Sequence, residues 1–434
     1  MTILDTARKL LGEGPICDHC MGRQFAKLST GLGNHERGAA IKLALAMQGD
    51  LERKEGDGTL LAQLAPCSAY ARKSLGMEGQ DEPCWVCGNI FTKLDSWAAR
   101  VADALSEYEF NTFLIGTKLT GLLAENEEIV WAGSGTLYAE PIKTELNREV
   151  GKRVEKLTGK RANLTRPEVV ALLNLEEERI DLEVNSIFIK GRYRKLVRGI
   201  PQTRWPCREC GGAGCPHCGY KGKMYEESVD ELIKPAVVRA AGAEDTAFHG
   251  AGREDIDARM LGDGRPFIVE ALRPRRRRID LSELARSINE HAAGKIEVTG
   301  LGFATAGAVE RLKETRVDKV YRMTVAFNTP VTEEKLKSSL GILGGATVKQ
   351  RTPTRVLHRR ADLERIRQVR LAELESMDAA GNSAVITVRC EGGLYVKELV
   401  SGDSGRTMPS LTGLLGIPAE VKELDVIKVD SLEE

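Results

Sequence analysis

Hydrophobic residues recur along this chain with two periods, and the periods sort it into elements. Apolar spacing of about three to four residues predicts helices over Ile3 to Leu11, Glu36 to Met47, Asn89 to Leu105, Glu145 to Leu157 and Leu281 to Ala292. Leu164 to Leu175 reads as a further helix, with Pro167 near its first turn. Alternation, weak over the first of them, predicts strands over Phe110 to Leu119, Ile180 to Phe188, Lys295 to Leu301, Val320 to Phe327, Arg365 to Glu373 and Ala384 to Cys390. Ile187 breaks the alternation of the second of these, and "GRYRKLVRG" is expected to return beside it. Ser228 to Ala240 is amphipathic, and Thr332 is placed to cap a helix running to Leu340. Thr347 to Val356 reads as extended and basic, "GGLYVKELV" as a strand or a helix start, and Pro418 to Val429 as a closing strand. The C-terminal half is therefore expected to be α+β with mixed, largely antiparallel sheet.

One stretch breaks both periods. "FHGAGREDIDARMLGDGRPFIVEA", Phe248 to Ala271, packs Arg253, Glu254, Asp255, Asp257 and Arg259 between glycines, and apolar alternation resumes at Phe267. This predicts a charged, glycine-bracketed loop running into a strand. A solvated turn with surface ion pairs is the plain reading. An active-site loop is the sharper one, because glycine lets backbone and ligand approach closely and Asp255 lies between two arginines that favour its ionised form.

The chain has 434 residues, enough for several domains, and a formal net charge of zero. Charge is informative only locally. Gly191 to Tyr225 carries eight Lys/Arg against one acid, Gly341 to Arg370 eight against two, and Arg273 to Arg278 reads "RPRRRR". Such runs suit a polyanion or form ordinary solvated faces. Neither a signal-peptide pattern nor a membrane-length apolar run is seen, so a soluble cytoplasmic protein is expected.

Most of the ten cysteines fall in C-x-x-C pairs, which in a reducing compartment favours metal over disulfide. Cys17 and Cys20 with Cys84 and Cys87 predict one four-thiolate site. Cys207, Cys210, Cys215 and Cys218 predict a second, in a glycine-rich loop too small to fold around a core of its own. Two structural zinc ions per chain are expected, since four thiolates leave no open position for a reacting water. Around the second cluster, Arg204 and Arg208 alternate with Trp205, Tyr220 and Tyr225. Cations there would attract phosphate, and the rings could stack on unpaired bases.

Phosphate-cradling loops, dinucleotide fingerprints, HExxH and G-x-S-x-G are all absent, which leaves an aspartate-centred site. Arg253-Glu254-Asp255 resembles the Arg-x-Asp motif of pseudouridine synthases. The longer string around it is similar to the archaeal and eukaryotic tRNA pseudouridine synthases that act in the T loop. "DKVYRMTV", "RTPTRVLHRRAD" and "GGLYVKELVSGDSGRTMPSLTGLLG" agree, as do the N-terminal "CDHCMGRQF" and "CWVCGN".

The resemblance implies a pseudouridine synthase catalytic fold at residues 226–434, preceded by a zinc-binding part at 1–90, a THUMP-like RNA-binding domain at 91–200 and a compact four-cysteine zinc module at 201–225. It implies isomerisation of uridine 54 and/or 55 of tRNA, with no catalytic cofactor and no obligate protein partner. Asp255 would be the catalytic carboxylate, Arg253 would place the flipped nucleotide or hold the loop, and Tyr321 would stack on the uracil. Lys397 would pair with the aspartate, and Leu399 would pack under the base. Arg351, Arg355, Arg359 and Arg360 would meet the RNA backbone, together with the run Arg275, Arg276 and Arg277 and with Arg204 and Arg208. Three other readings compete: a non-catalytic zinc-containing RNA-binding protein, a structural metalloprotein with no RNA role, and another THUMP-type tRNA-modifying enzyme such as a methyltransferase. The missing cofactor fingerprint counts against the last.

Overall fold

A computed structural model describes residues 2–119, 121–135, 137–314 and 317–430, apart from the side chain of Arg359. The chain divides into two compact units, residues 1–185 and 186–434.

The first unit opens with the helix Ile3–Gly12, in which Thr2 and Asp5 form a reciprocal cap. The helices Asp18–Arg23 and Asn34–Lys54 follow, packed so tightly that a Cβ on Gly22 would lie 1.8 Å from the carbonyl oxygen of Asn34. Beyond them is a four-stranded sheet ordered Arg161–Ala162, Thr112–Lys118, Val169–Asn174, Arg179–Val184. Its first three strands are parallel and the last is antiparallel. The helices Leu94–Leu105 and Ile142–Thr158 pack against each other beside this sheet and bury Trp97, Val101, Leu146 and Val150.

Two expectations fail here. The helix expected over Leu164 to Leu175 is instead the strand Val169–Asn174. A short buried strand in a parallel pair carries an unbroken apolar run, and Val169 and Val170 favour the extended form. The single strand expected over Ile180 to Phe188 is two strands in two sheets. Arg179–Val184 closes the first sheet, and Ile187–Lys195 belongs to the second unit, although the sequence places it at the end of the 91–200 segment. Ile187 marks the change of sheet, which is why the alternation slips there. "GRYRKLVRG" accordingly continues that strand and does not return beside it.

The second unit is built on a ten-stranded sheet. Along its main path the order is Thr407–Met408, Thr347–Arg351, Glu364–Met377, Ser383–Cys390, Lys319–Phe327, Ala419–Val429, Arg259–Leu272, Ile187–Lys195 and Ile296–Ala304. Asp245–Gly250 pairs beside Arg259–Leu272. One pairing is parallel, where Asp425 and Val426 meet Arg259 and Met260; the others are antiparallel. Two apolar cores cover the sheet. One includes the helices Val229–Ala241 and Leu281–Ala292, and the other Glu333–Leu343, Val396–Ser401 and Leu411–Leu415. Thr332 caps its helix as expected, accepting from the backbone of Lys335.

Candidate active site

The charged loop occupies 251–258, between the strand Asp245–Gly250 and the strand Arg259–Leu272. The second strand therefore starts earlier than the alternation implied. Residues 261–264 bulge out of its pairing, where the register passes from Lys195↔Met260 to Tyr193↔Arg265. Gly262 has φ +57°, and a Cβ there would stand 2.0 Å from the carbonyl oxygen of Ile427, so only glycine fits.

A buried network pins the loop from below. Lys195 is wholly buried and donates to the carbonyls of Ile200 (2.9 Å), Asp255 (3.2 Å) and Ile256 (3.1 Å). Arg265 donates from Nη1 to the carbonyl of Ala251 at 2.8 Å and from Nε to Glu254 Oε2 at 2.9 Å. Tyr193 donates to the same carboxylate, and Gln202 donates to the carbonyl of Gly252 at 2.9 Å. Charges this deep persist only when paired and hydrogen-bonded, and here that requirement fixes the backbone on either side of Asp255. Burial raises the Tyr193 phenol well above its ordinary range, with Glu254 adding to the effect, so the hydroxyl stays a donor.

Asp255 is thus turned toward solvent on a braced backbone. Its Oδ2 lies 3.2 Å from Arg355 Nη2 and 3.7 Å from Lys397 Nζ. The closer partner of Lys397 is Asp257, at 2.6 Å. Burial opposes the charge of Asp257, but the Lys397 ammonium outweighs it and holds that carboxyl below its usual range. Arg355 bridges Asp255 to the buried Glu398, with Nε 2.6 Å from Oε1. Although burial works against its charge, the two carboxylates keep Arg355 protonated beyond an ordinary arginine.

These contacts correct the sequence reading at several points. Of the two arginines expected to flank Asp255, Arg259 is directed elsewhere. Arg259 turns to Asp425, with contacts of 2.9 and 2.6 Å, and Arg253 lies over the Trp205 ring at 5.9 Å. Arg355, expected on the RNA backbone, is a direct partner of Asp255. It comes from the 3-10 turn Thr354–Arg359, which ends the extended run expected to continue to Val356. Lys397 and Glu398 come from the helix Val396–Ser401.

Asp255 and Tyr321 both line a cavity of about 550 Å³, together with Arg355, Arg360, Lys319 and Val396. A second cavity of about 320 Å³ shares the wall formed by Arg253, Glu254, Asp255 and Arg355, and is bounded by Trp205, Tyr225 and Lys397. Tyr321 is half-buried, and burial pushes its phenol above the ordinary range. Leu399 does not line the cavity. It is fully buried in the core, and Leu394, Val396, Leu424 and Val426 supply the apolar lining.

Among the expected RNA contacts, Arg360 lies at the cavity and donates to Tyr395 Oη at 3.2 Å, while Arg351 pairs with Asp362 at 2.8 Å. Arg204 and Arg208 are exposed on the cysteine module. Arg275 and Arg276 are exposed and Arg277 half-buried, in a segment that does not line the cavity at Asp255. The side chain of Arg359 lies outside the described residues.

Both cysteine quartets assemble. In each, the four sulfurs lie within 4.8 Å of one another. The separations Cys17–Cys87 (3.6 Å), Cys207–Cys215 (3.9 Å), Cys210–Cys218 (4.0 Å) and Cys215–Cys218 (3.8 Å) suit a tetrahedral ion with Zn–S bonds of about 2.3 Å, whose ligands stand about 3.8 Å apart. Donors aimed at sulfur fit thiolates. Arg23 Nη1 reaches Cys20 Sγ at 3.0 Å, and the Gly214 and Gly222 amides reach Cys210 and Cys218 at 3.2 Å. The chain thus carries two four-cysteine sites suited to structural zinc, each closed by its own ligands.

Sequence reading missed Glu254 and Arg265 as a buried pair, Glu398 as the support of Arg355, and Lys319 as a cavity residue. Glu398 did carry a signal: a carboxylate directly before Leu399 and Val400 on a short helix is rarely buried without a partner. Arg265 carried none, since its partner is set by the return of the strand.

Known proteins are similar to this chain over both units. A family model described as "Pus10, C-terminal" matches residues 188–430, and one described as "Pus10 THUMP domain, archaeal" matches 97–174. The tRNA pseudouridine synthase Pus10 of Methanothrix thermoacetophila is 54% identical over 98% of this chain and 94% of its own length. Its counterpart in Halorubrum lacusprofundi is 45% identical over 100% and 98%, and that of Methanocaldococcus jannaschii 42% over 97% and 93%. With more than half its length under one family model and relatives matched nearly end to end, the chain belongs to the Pus10 family.

Proposed function

We propose that the protein isomerises uridine to pseudouridine in the T loop of tRNA, at position 54, position 55 or both, with Asp255 as the catalytic carboxylate. The observation that carries this reading is the position of Asp255. It stands on a braced loop at the wall of a cavity that also holds Tyr321, with two cations on its oxygens.

The reaction breaks N1–C1′, turns the uracil and joins C5 to C1′. The proton lost from C5 is balanced by one gained at N1, so no external electron carrier is needed. Asp255 acts at the ribose, as nucleophile at C1′ or as base at C2′. Arg355 and Lys397 stand beside its carboxylate and orient it in a pocket from which bound RNA excludes water. Tyr321 offers a ring face to a uridine swung out of the T loop. Arg355 has a positioning role, carried through Glu398. Arg204, Arg208, Arg253, Arg351, Arg359 and Arg360, with the run Arg275 to Arg277, supply phosphate and nucleotide contacts.

The first unit is assigned as an accessory RNA-binding part. Its cysteine quartet closes the segment 1–90 on itself, and a THUMP-type domain follows, with its sheet within 112–184, a reading supported by the family match at 97–174. The enzyme is placed in the cytoplasm with tRNA. Among the described residues, no helix is long and apolar enough to cross a membrane.

The test is to incubate an unmodified tRNA transcript with the protein, without added cofactor, and map pseudouridine at nucleotide resolution. Wild type is expected to modify the T loop, and Asp255→Asn to bind tRNA without modifying it. No pseudouridine from the wild type, or retained turnover by Asp255→Asn, would contradict the assignment.

A further inference from the structure

The cavity holds a cation that the roles above leave unused. Lys319 lines it, two residues before Tyr321 on the strand Lys319–Phe327. Side chains two apart on a strand project from the same face, so its ammonium lies on the side of the sheet that carries the Tyr321 ring. It also reaches the catalytic loop: a Cβ on Gly252 would stand 3.1 Å from Lys319 Nζ and 3.6 Å from Arg265 Nη1.

Among the described residues, no carboxylate or hydrogen-bond acceptor is within bonding reach of this ammonium. The acid that acts on it through space, Glu254, is committed to Arg265 and Tyr193. Burial and the Arg265 guanidinium pull the lysine down to about 8, while Cys390 and Glu254 oppose them only weakly. An unpaired, half-buried ammonium in a reaction cavity carries a desolvation cost that an incoming acceptor would offset.

Resting on the proposed isomerisation, we infer that Lys319 is a further catalytic residue, donating a hydrogen bond to a carbonyl oxygen of the target uracil. When N1–C1′ breaks, its electron pair stays with the base, and the negative charge spreads over N1, O2, C5 and O4. A base lying on the Tyr321 ring presents a carbonyl edge toward the ammonium. Lys319 holds its proton throughout, and its charge stabilises the detached uracil anion while the ring turns. The anion is consumed when C5 bonds to C1′, as the Asp255 carboxylate leaves C1′ or returns the proton it took from C2′; the C5 proton then leaves and N1 takes up a proton. The lysine is unchanged and the overall balance is that of an isomerisation. Asp255 thus acts at the sugar while Lys319 acts at the base. The two are supplied by different elements, the loop at 251–258 and the strand starting at Lys319.

The experiment is single-turnover pseudouridine formation on an unmodified tRNA transcript, with wild type, Lys319→Met and Lys319→Ala, alongside tRNA affinity and thermal melts. Losing a donor to developing charge is expected to slow the saturated rate by about 10²–10³-fold and leave affinity within about threefold. Added ethylamine is expected to restore part of the Lys319→Ala rate in a saturable way, which a packing role would not allow. That rescue stands even if Lys319→Met folds poorly. A rate within about threefold of wild type in both variants would overturn the inference. So would a loss confined to affinity and salt dependence, which would mark a phosphate contact. So would a rate lost without amine rescue. A wild type that makes no pseudouridine would instead sink the proposed isomerisation, so the two failures are distinguishable.

Discussion

The pair beneath the charged loop at 251–258 offers a sharp energetic test. Glu254 and Arg265 side chains are 0% and 1% exposed, with Nε 2.9 Å from Oε2. Lys195, also wholly buried, has its ammonium 3.8 Å from the same carboxylate. Glu254→Gln preserves the shape but leaves a guanidinium and an ammonium buried around a neutral amide. Removing one partner of a buried pair costs about 3–5 kcal/mol. In a unit of this size each kcal/mol moves the melting temperature by about 2–4 °C, so the loss should be about 6–20 °C. The assay is calorimetry of the full chain, following the transition of the C-terminal unit. The double change Glu254→Leu with Arg265→Met removes both charges of the pair and should recover part of that stability, with the buried Lys195 ammonium left to its three carbonyl acceptors. It still deletes the Arg265 bond to the carbonyl of Ala251, so the reaction should stay slow although the fold is sound. A single-variant loss under about 1 kcal/mol, or a double variant with wild-type rate, would refute the idea that this pair both balances charge and positions the loop.

Other perturbations separate the remaining parts of the account. Glu398→Gln should free Arg355 from its support and slow single-turnover pseudouridine formation by about tenfold or more at unchanged melting temperature; an unchanged rate would deny Arg355 its positioning role. Metal content by mass spectrometry should be two zinc ions per chain and fall to one in either Cys20→Ser or Cys215→Ser; two ions in a variant would exclude that quartet. Burial opposes the charge of Asp425, yet Arg259 and Arg198 hold its carboxyl below the ordinary 3.8. The stabilisation is therefore complete above about pH 4 and lost as pH falls through the lowered folded value. Asp425→Asn should lower the melting temperature at neutral pH and flatten its acid slope, and an unaltered slope would contradict that sign.

Local pattern made most of the second unit readable. Val320 to Phe327 and Ala384 to Cys390 alternate because one face of each meets a core, and Leu281 to Ala292 shows a helical stripe for the same reason. The failures fall where pattern is ambiguous or partners are remote. Leu164 to Leu175 misled because an unbroken apolar run suits a buried strand as well as a helix. Asp255, Tyr321 and Lys397 were legible through the family resemblance, and the structure brings Asp255 and Tyr321 to one cavity with Lys397 beside Asp255. Arg259 was misjudged as a cation at Asp255 because proximity in sequence stood in for proximity in space. Arg355 arrives from 100 residues away, whereas Arg259, four positions on, faces another strand. Leu399 and Val396 lie on one short helix, and only the packed core decides which of them reaches the cavity.

The most direct measurement is nucleotide-resolution mapping of pseudouridine in an unmodified tRNA after incubation with wild type and with Asp255→Asn, at matched tRNA occupancy. The account predicts T-loop conversion by the first and none by the second. Conversion by the Asn variant, or none by either protein, would contradict it.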